Sequence, residues 1–318
     1  MLRRLFDGPD QGLNDNLQLL DGLRAPTRAD GRSSLVAALC LALNHLKQTV
    51  TYDALMAVTG AAFTLDLTDG FLPSLDPSLP LVEALEALGH RSTLLVSPTP
   101  AVVEDCVRAE ITAGRPVLAL GWGANPTAWS LLAGAQGEDL LGYAYEGRRL
   151  DRHPPQVDLL LLLGDPAPGS PPDALALATL VRALPLLHHA QVQYAHWSGI
   201  LAAEEPYGPP LTRLERFLAE QLLLSGLIEA RDAAAAFLAD TSELVQHATE
   251  PLEETAALAQ RIVTRLEALQ VAPEIIEPAG LPEDRDWLDQ RRDDLGDIRD
   301  LEAELIHALE RVVIEDVD

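Results

Sequence analysis

An apolar run through Leu35–Leu43 follows two serines in "SSLVAALCLALNHL" (33–46), which reads as an apolar helix. Two serines at its head supply a cap, and neither Gly nor Pro interrupts it. "TYDALMAVTG" (51–60) reads as a short second helix ended by Gly60. In "PLVEALEALGH" (80–90), Leu81, Leu85 and Leu88 share one face and Gly89 stops the helix. A short strand, "RSTLLVS" (91–97), and a helix, "PAVVEDCVRAEITAG" (100–114), follow. The pattern then turns to short β-compatible runs bounded by Gly, Pro or Asp: "RPVLALGW", "AWSLLAGA", "DLLGYAYEG" and "VDLLLLLGD". Helices followed by a run of strands is the order of an α+β domain rather than of alternating βαβ units.

"DPAPGSPPDA" (165–174) is a Pro/Gly/Ser loop and a candidate boundary, beyond which almost everything is helical. In "TSELVQHATEPLEETAALAQRIVTRLEAL", Leu244, Ala248, Leu252, Ala259, Ile262, Leu266 and Leu269 form one stripe. A Pro-broken linker then leads to a last helix lined by Leu295, Ile298, Leu301, Leu305, Leu309 and Val312. From Pro273 onward five arginines face about three times as many carboxylates, either a solvated face or a docking helix for a second copy or a partner. No fixed-period repeat is present.

Composition narrows the function. A formal charge of −26 disfavours nucleic acid and anionic membrane surfaces, which attract clustered Lys and Arg. The apolar run at 157–164 is too short to span a bilayer. "MLRRLFDGPDQG" has no apolar region after its arginines, so no secretory signal is expected. Cys40 and Cys106 make no disulfide scaffold and suit a reducing compartment, so the expected location is cytoplasmic.

A resemblance gives the chemistry its shape. Tyr52, Leu55, Met56, Thr59, Gly60, Ala62 and Phe63, then Gly114, Pro116 and Val117, then Trp129 and Gly134, follow a family pattern in order. The chain thereby resembles the C39-like, papain-type cysteine peptidases, and within them the branch typified by the butirosin biosynthesis protein H N-terminal domain. That resemblance implies a papain-like domain over 10–165, followed by an all-helical domain over 170–270 and a linker with an acidic amphipathic helix over 271–318. It also places the family's nucleophilic Cys at Ser34 and its His at Ala128. A Cys works because an imidazole takes its proton, and a Ser hydroxyl needs that base more. The pair of changes implies a catalytically degenerate relative, with Ser34 left as a helix cap, that keeps the cleft for a peptide or carrier protein, or keeps the fold as an assembly platform. Relatives of the butirosin type transfer acyl groups from carrier proteins to amines, so Ser34 acting as an acyltransferase or hydrolase nucleophile is the alternative. Self-association through the acidic terminal helix, as a homo-oligomer, is the third.

Three histidines are candidates for the missing base. His45 lies about 16 Å along the first helix from Ser34. His90 follows a helix C-terminus, where the helix dipole favours a cation. His153, in the polar "RRLDRHPP" near Asp151, is the remaining candidate base. Trp122, Asn125 and Trp129 in "GWGANPTAW" either line a cleft or fill the strand–helix interface. That segment lacks the Lys and following helix of a phosphate loop, so no cofactor is expected. His188, His189 and His196 have no partner Cys or carboxylate at a recognised spacing, so no metal is expected. Tyr194 and Trp197 read as core.

Overall fold

Ser33 caps the first helix, its Oγ accepting from the Val36 N–H at 3.4 Å, and α1 then runs Ser34–His45 with Leu35–Leu39, Ala42 and Leu43 buried. So thorough a burial marks a helix enclosed by its domain rather than one lying on its surface. The computed structural model describes residues 17–67, 80–203, 206, 210–245, 248–271 and 285–315. The stretch read for a signal and all but Val271 of the Pro-broken linker lie outside the described residues. The fold is mixed α and β, an antiparallel sheet with helices and a helical C-terminal region.

The chain forms two compact units, one taking residues up to Val50 with His90–Pro166, the other Thr51–Gly89 with Ala167–Asp318. This partition differs from the expected bounds at 165 and 170. Thr51–Gly89 groups with the helices because α2 (Tyr52–Val58) packs on α5 (Pro172–Ala202) and α6 (Pro210–Leu244), and it buries Leu55–Val58.

The first unit holds β1 (Gln18–Leu19), α1, β2 (Thr93–Val96), α4 (Pro100–Thr112), β3 (Val117–Leu120), β4 (Ser130–Gln136), β5 (Asp139–Tyr143), β6 (Asp151–His153) and β7 (Leu159–Leu162). The strands order as β2-β7-β3-β4-β5-β6, all antiparallel, with β1 pairing on β4. Helix α4 puts Val103, Val107 and Ile111, at i, i+4 and i+8, onto Val117, Ala119, Leu132 and Leu160. Two short strands, β1 and β6, were not expected. Three residues of "RRLDRHPP" are strand rather than loop because Asp151, Arg152 and His153 pair with Gly142, Leu141 and Leu140. Gly134 sits at a bulge in β4, where a Cβ would stand 2.2 Å from the Gln18 carbonyl, so only glycine lets β1 close on β4.

The second unit contains α2, α3 (Leu81–Ala87), α5, α6, α7 (Thr249–Ala268) and α8 (Arg285–Glu315). Neighbours pack α6 on α7, α7 on α8 and α8 on α5. Helix α5 continues through Pro185, which sits on an exposed face where water can satisfy the freed carbonyl. It is long and apolar enough to cross a bilayer by length and composition, yet it buries Leu180, Leu187, Tyr194 and Trp197 inside the unit. The expected stripe from Leu244 to Leu269 is divided, since Leu244 ends α6 and is half exposed while α7 carries the rest. The stripe of α8 is fully used, with Leu295, Ile298, Leu301, Leu305, Leu309 and Val312 all buried.

Candidate functional site

The approach to α1 is clamped before the helix begins. Asp30 accepts from the Thr27 N–H and Oγ1, each at 2.9 Å, and forms a two-point ion pair with Arg24. The Arg24 guanidinium holds the Asp30 carboxyl down at about 2, below its ordinary 3.8, with the Thr27 donors adding to the effect. Glu146 accepts from the Arg28 N–H at 2.6 Å, and Tyr145 donates its hydroxyl to the Gly31 carbonyl at 2.7 Å. Gly31 is buried with φ 128°, a backbone that suits glycine. These contacts fix where the helix head points.

It points at the start of β4. The Ser34 Oγ accepts a hydrogen bond from the Trp129 N–H at 3.0 Å, and the peptide that donates it joins Ala128 to Trp129. The helix head and the tryptophan strand therefore meet at the two positions where the resemblance puts a nucleophile and its base. Ser34 is not itself the cap; Ser33 is, and Ser34 is the first helical residue, half buried. Its hydroxyl oxygen satisfies a backbone donor of a buried residue. Ala128 offers only a buried methyl group.

The candidate bases lie elsewhere. Among the described residues no imidazole hydrogen-bonds to Ser34. His153 stands edge-on to the Trp122 ring with centroids 5.1 Å apart, and it pairs in the sheet with Leu140. Asp151, its expected carboxylate, ion-pairs with Arg149 at 3.6 Å. His45 is half-buried at the far end of α1. His90 is buried, its Nε2 2.5 Å from the Gln48 Oε1, and burial pushes its pKa below the ordinary 6.5. Cys40, six residues along α1, is no substitute nucleophile. Burial raises its thiol pKa, which keeps it protonated, and Asn44 donates to its Sγ at 3.5 Å.

The loop 121–129 is braced by its own backbone. Gly121 donates to the Pro126 carbonyl at 3.1 Å and Ala128 to the Asn125 carbonyl at 3.2 Å. Gly121 takes φ 85°, and a Cβ there would strike Asp158. Of the three residues offered as cleft lining, Asn125 alone is partly exposed, and its Oδ1 accepts from Thr127 at 3.1 Å. Trp122 is fully buried in the sheet–α4 core, and Trp129 is buried as well, so both fill the interior rather than line an open cleft. A cavity of about 360 Å³ lies in the other unit, between Arg261, Thr264 and Arg265 of α7 and Asp297, Asp300, Leu301 and Glu304 of α8.

Ser33 and Tyr145 carry structural roles that the sequence reading missed. The Ser33–Ser34 doublet held one signal, since a cap needs only one of two serines. Tyr145 held none, because its contact spans 114 residues. No family model matches this sequence, and no curated protein matches it.

Proposed function

We propose that the chain is a catalytically degenerate relative of the C39-like, papain-type group, of the butirosin-H type, whose α+β region works as a binding or assembly module. Its expected occupant is an extended peptide or a carrier protein. The observation that carries this reading is the hydrogen bond from the Trp129 N–H to the Ser34 Oγ, with Ala128 in the donating peptide.

Chemistry supports the reading in two ways. A serine hydroxyl attacks an acyl carbon only when a base removes its proton as the bond forms, and the seat for that base holds a methyl group. One of the two hydroxyl lone pairs is also engaged by a backbone donor. Losing a catalytic base alone removes roughly four to six orders of magnitude in turnover. A hydroxyl so placed is a structural acceptor.

The test is intact-mass analysis of the full chain after incubation with a panel of acyl thioesters, beside a peptide-cleavage assay. The expected result is no adduct and no turnover. An acyl adduct at Ser34 that disappears in Ser34→Ala would overturn the reading and restore the acyltransferase alternative. Binding is tested separately by titrating an acyl carrier protein and an unstructured peptide mixture into the full chain. Failure of both to bind would leave the assembly role alone.

A further inference from the structure

Two buried charge clusters inside the helical unit repeat one another with opposite sign. In the first, Glu220 of α6 accepts from Arg291 of α8 at 3.1 Å and from the Trp197 indole of α5 at 2.9 Å. In the second, Glu302 of α8 accepts from Arg231 of α6 at 2.6 Å and from the Tyr194 hydroxyl of α5 at 2.8 Å. Each arginine also donates to a backbone carbonyl, Arg291 to Leu269 at the C-terminal end of α7 at 2.7 Å and Arg231 to Ala62 in the turn after α2 at 2.8 Å. All four charged side chains are at most 4% exposed.

The spacing is what gives the repeat meaning. Glu220 and Arg231 are eleven residues apart on α6, and Arg291 and Glu302 are eleven apart on α8. Both ion pairs therefore join residues separated by 71 in the chain, which requires α6 and α8 to run parallel. The two helices do not pack side by side as α6 does on α7 or α7 on α8, so the long side chains meet across the interior.

We propose that the two clusters form a two-point charge key that selects the parallel, in-register arrangement of α6 and α8 against α5. Reversing α8 brings Glu220 onto Glu302 and Arg231 onto Arg291. Sliding it by one turn, about 5.4 Å, exceeds the reach of both ion pairs and leaves four buried charges unpaired. Apolar stripes tolerate such shifts, because leucine meets leucine in either register; the charge pattern does not.

The test exchanges one cluster and watches the other. In Arg231→Glu/Glu302→Arg, opposite charges still face each other, but α6 becomes uniformly negative and α8 uniformly positive at these positions, so the reversed pairing is satisfied as well as the native one. The readout is the Trp197 indole N–H resonance of the full chain, which reports the untouched cluster. The expected result is one protected resonance in the wild type and two or more in the exchanged variant. A single wild-type-like Trp197 signal in that variant would overturn the proposal. Should the exchange prevent folding, Arg231→Met/Glu302→Leu/Tyr194→Phe removes the second cluster with little change in volume. That variant is expected to melt cooperatively and still show a divided Trp197 signal. A single signal, or loss of cooperative melting, would overturn the proposal, the latter because the cluster would then supply stability rather than selection.

Discussion

At the scale of the residue, Ser34 separates two ideas that a sequence leaves joined: a hydroxyl at a helix head and a hydroxyl ready to react. Its oxygen is the acceptor for the Trp129 N–H, so Ser34→Ala strands a backbone donor and is expected to cost about 1–3 kcal/mol in urea unfolding. Ser33→Ala, which removes the cap, is expected to cost about 1 kcal/mol. Similar costs for the two would fit structural roles for both. His90 makes a prediction in pH. An amide oxygen only accepts, so Nε2 carries the hydrogen toward Gln48, and the buried Nδ1 has no partner for a second proton. The folded pKa is therefore depressed below the 6.5 of the unfolded chain. The unfolded state binds the proton first, so stability is full above about pH 7 and falls as pH drops through about 6.5. The thermal midpoint of the wild type should fall over that interval, and His90→Asn should flatten the fall; equal slopes for the two would contradict the assignment. Asp30 works at more acid pH. Its stabilisation is complete above 3.8 and is lost as pH falls through about 2.

At the scale of the element, most of the secondary structure was legible because its signals are local. The helix at 34–45, the stops near Gly60 and Gly89, and the strands at 93–96, 117–120, 130–136 and 159–162 all follow from period and punctuation. The segment ending "TGAAF" also has a physical account. Thr59 donates its hydroxyl to the Leu55 carbonyl at 2.6 Å, Gly60 takes φ 85°, and Phe63 is fully buried. What the sequence hid was non-local. β6 exists only because β5 pairs with it. The grouping of Thr51–Gly89 with distant helices had no local mark at all. Ser34 and the 128–129 peptide do adjoin, but which serine is the cap, and what the other one accepts, had no mark in the sequence. Glycines give the test at this scale. Gly137 has φ 60° with open space around it, so Gly137→Ala should cost about 1–2 kcal/mol, the left-handed penalty alone. Gly164 has φ 67°, and a Cβ there would lie 1.9 Å from the Arg91 carbonyl beside β2 and β7, so Gly164→Ala should exceed about 3 kcal/mol in denaturant unfolding.

At the scale of the whole molecule, a charge of −26 sets two opposing demands on the C-terminal helix. Self-repulsion should make the chain more stable in salt, with the thermal midpoint rising from about 0.01 M to about 1 M as the Debye length shrinks from roughly 30 to 3 Å. Acidity on α8 invites deletion as a test of self-association, but α8 is part of a core. Its apolar stripe is buried, and it contributes Arg291 and Glu302 to ion pairs inside the unit. Deleting 285–318 removes Arg291 and Glu302, the ionic partners of Glu220 and Arg231, at about 3–5 kcal/mol for each broken pair, against a total stability of roughly 5–15 kcal/mol. The deletion is therefore expected to abolish cooperative far-UV melting of the helical unit and to expose surface that binds a hydrophobic dye. A truncated chain that melts as sharply as the full one, with no dye binding, would show that α8 is peripheral after all. Charge-neutralising changes confined to exposed positions such as Glu304 and Asp300 keep the core intact, and so they test self-association without that confusion.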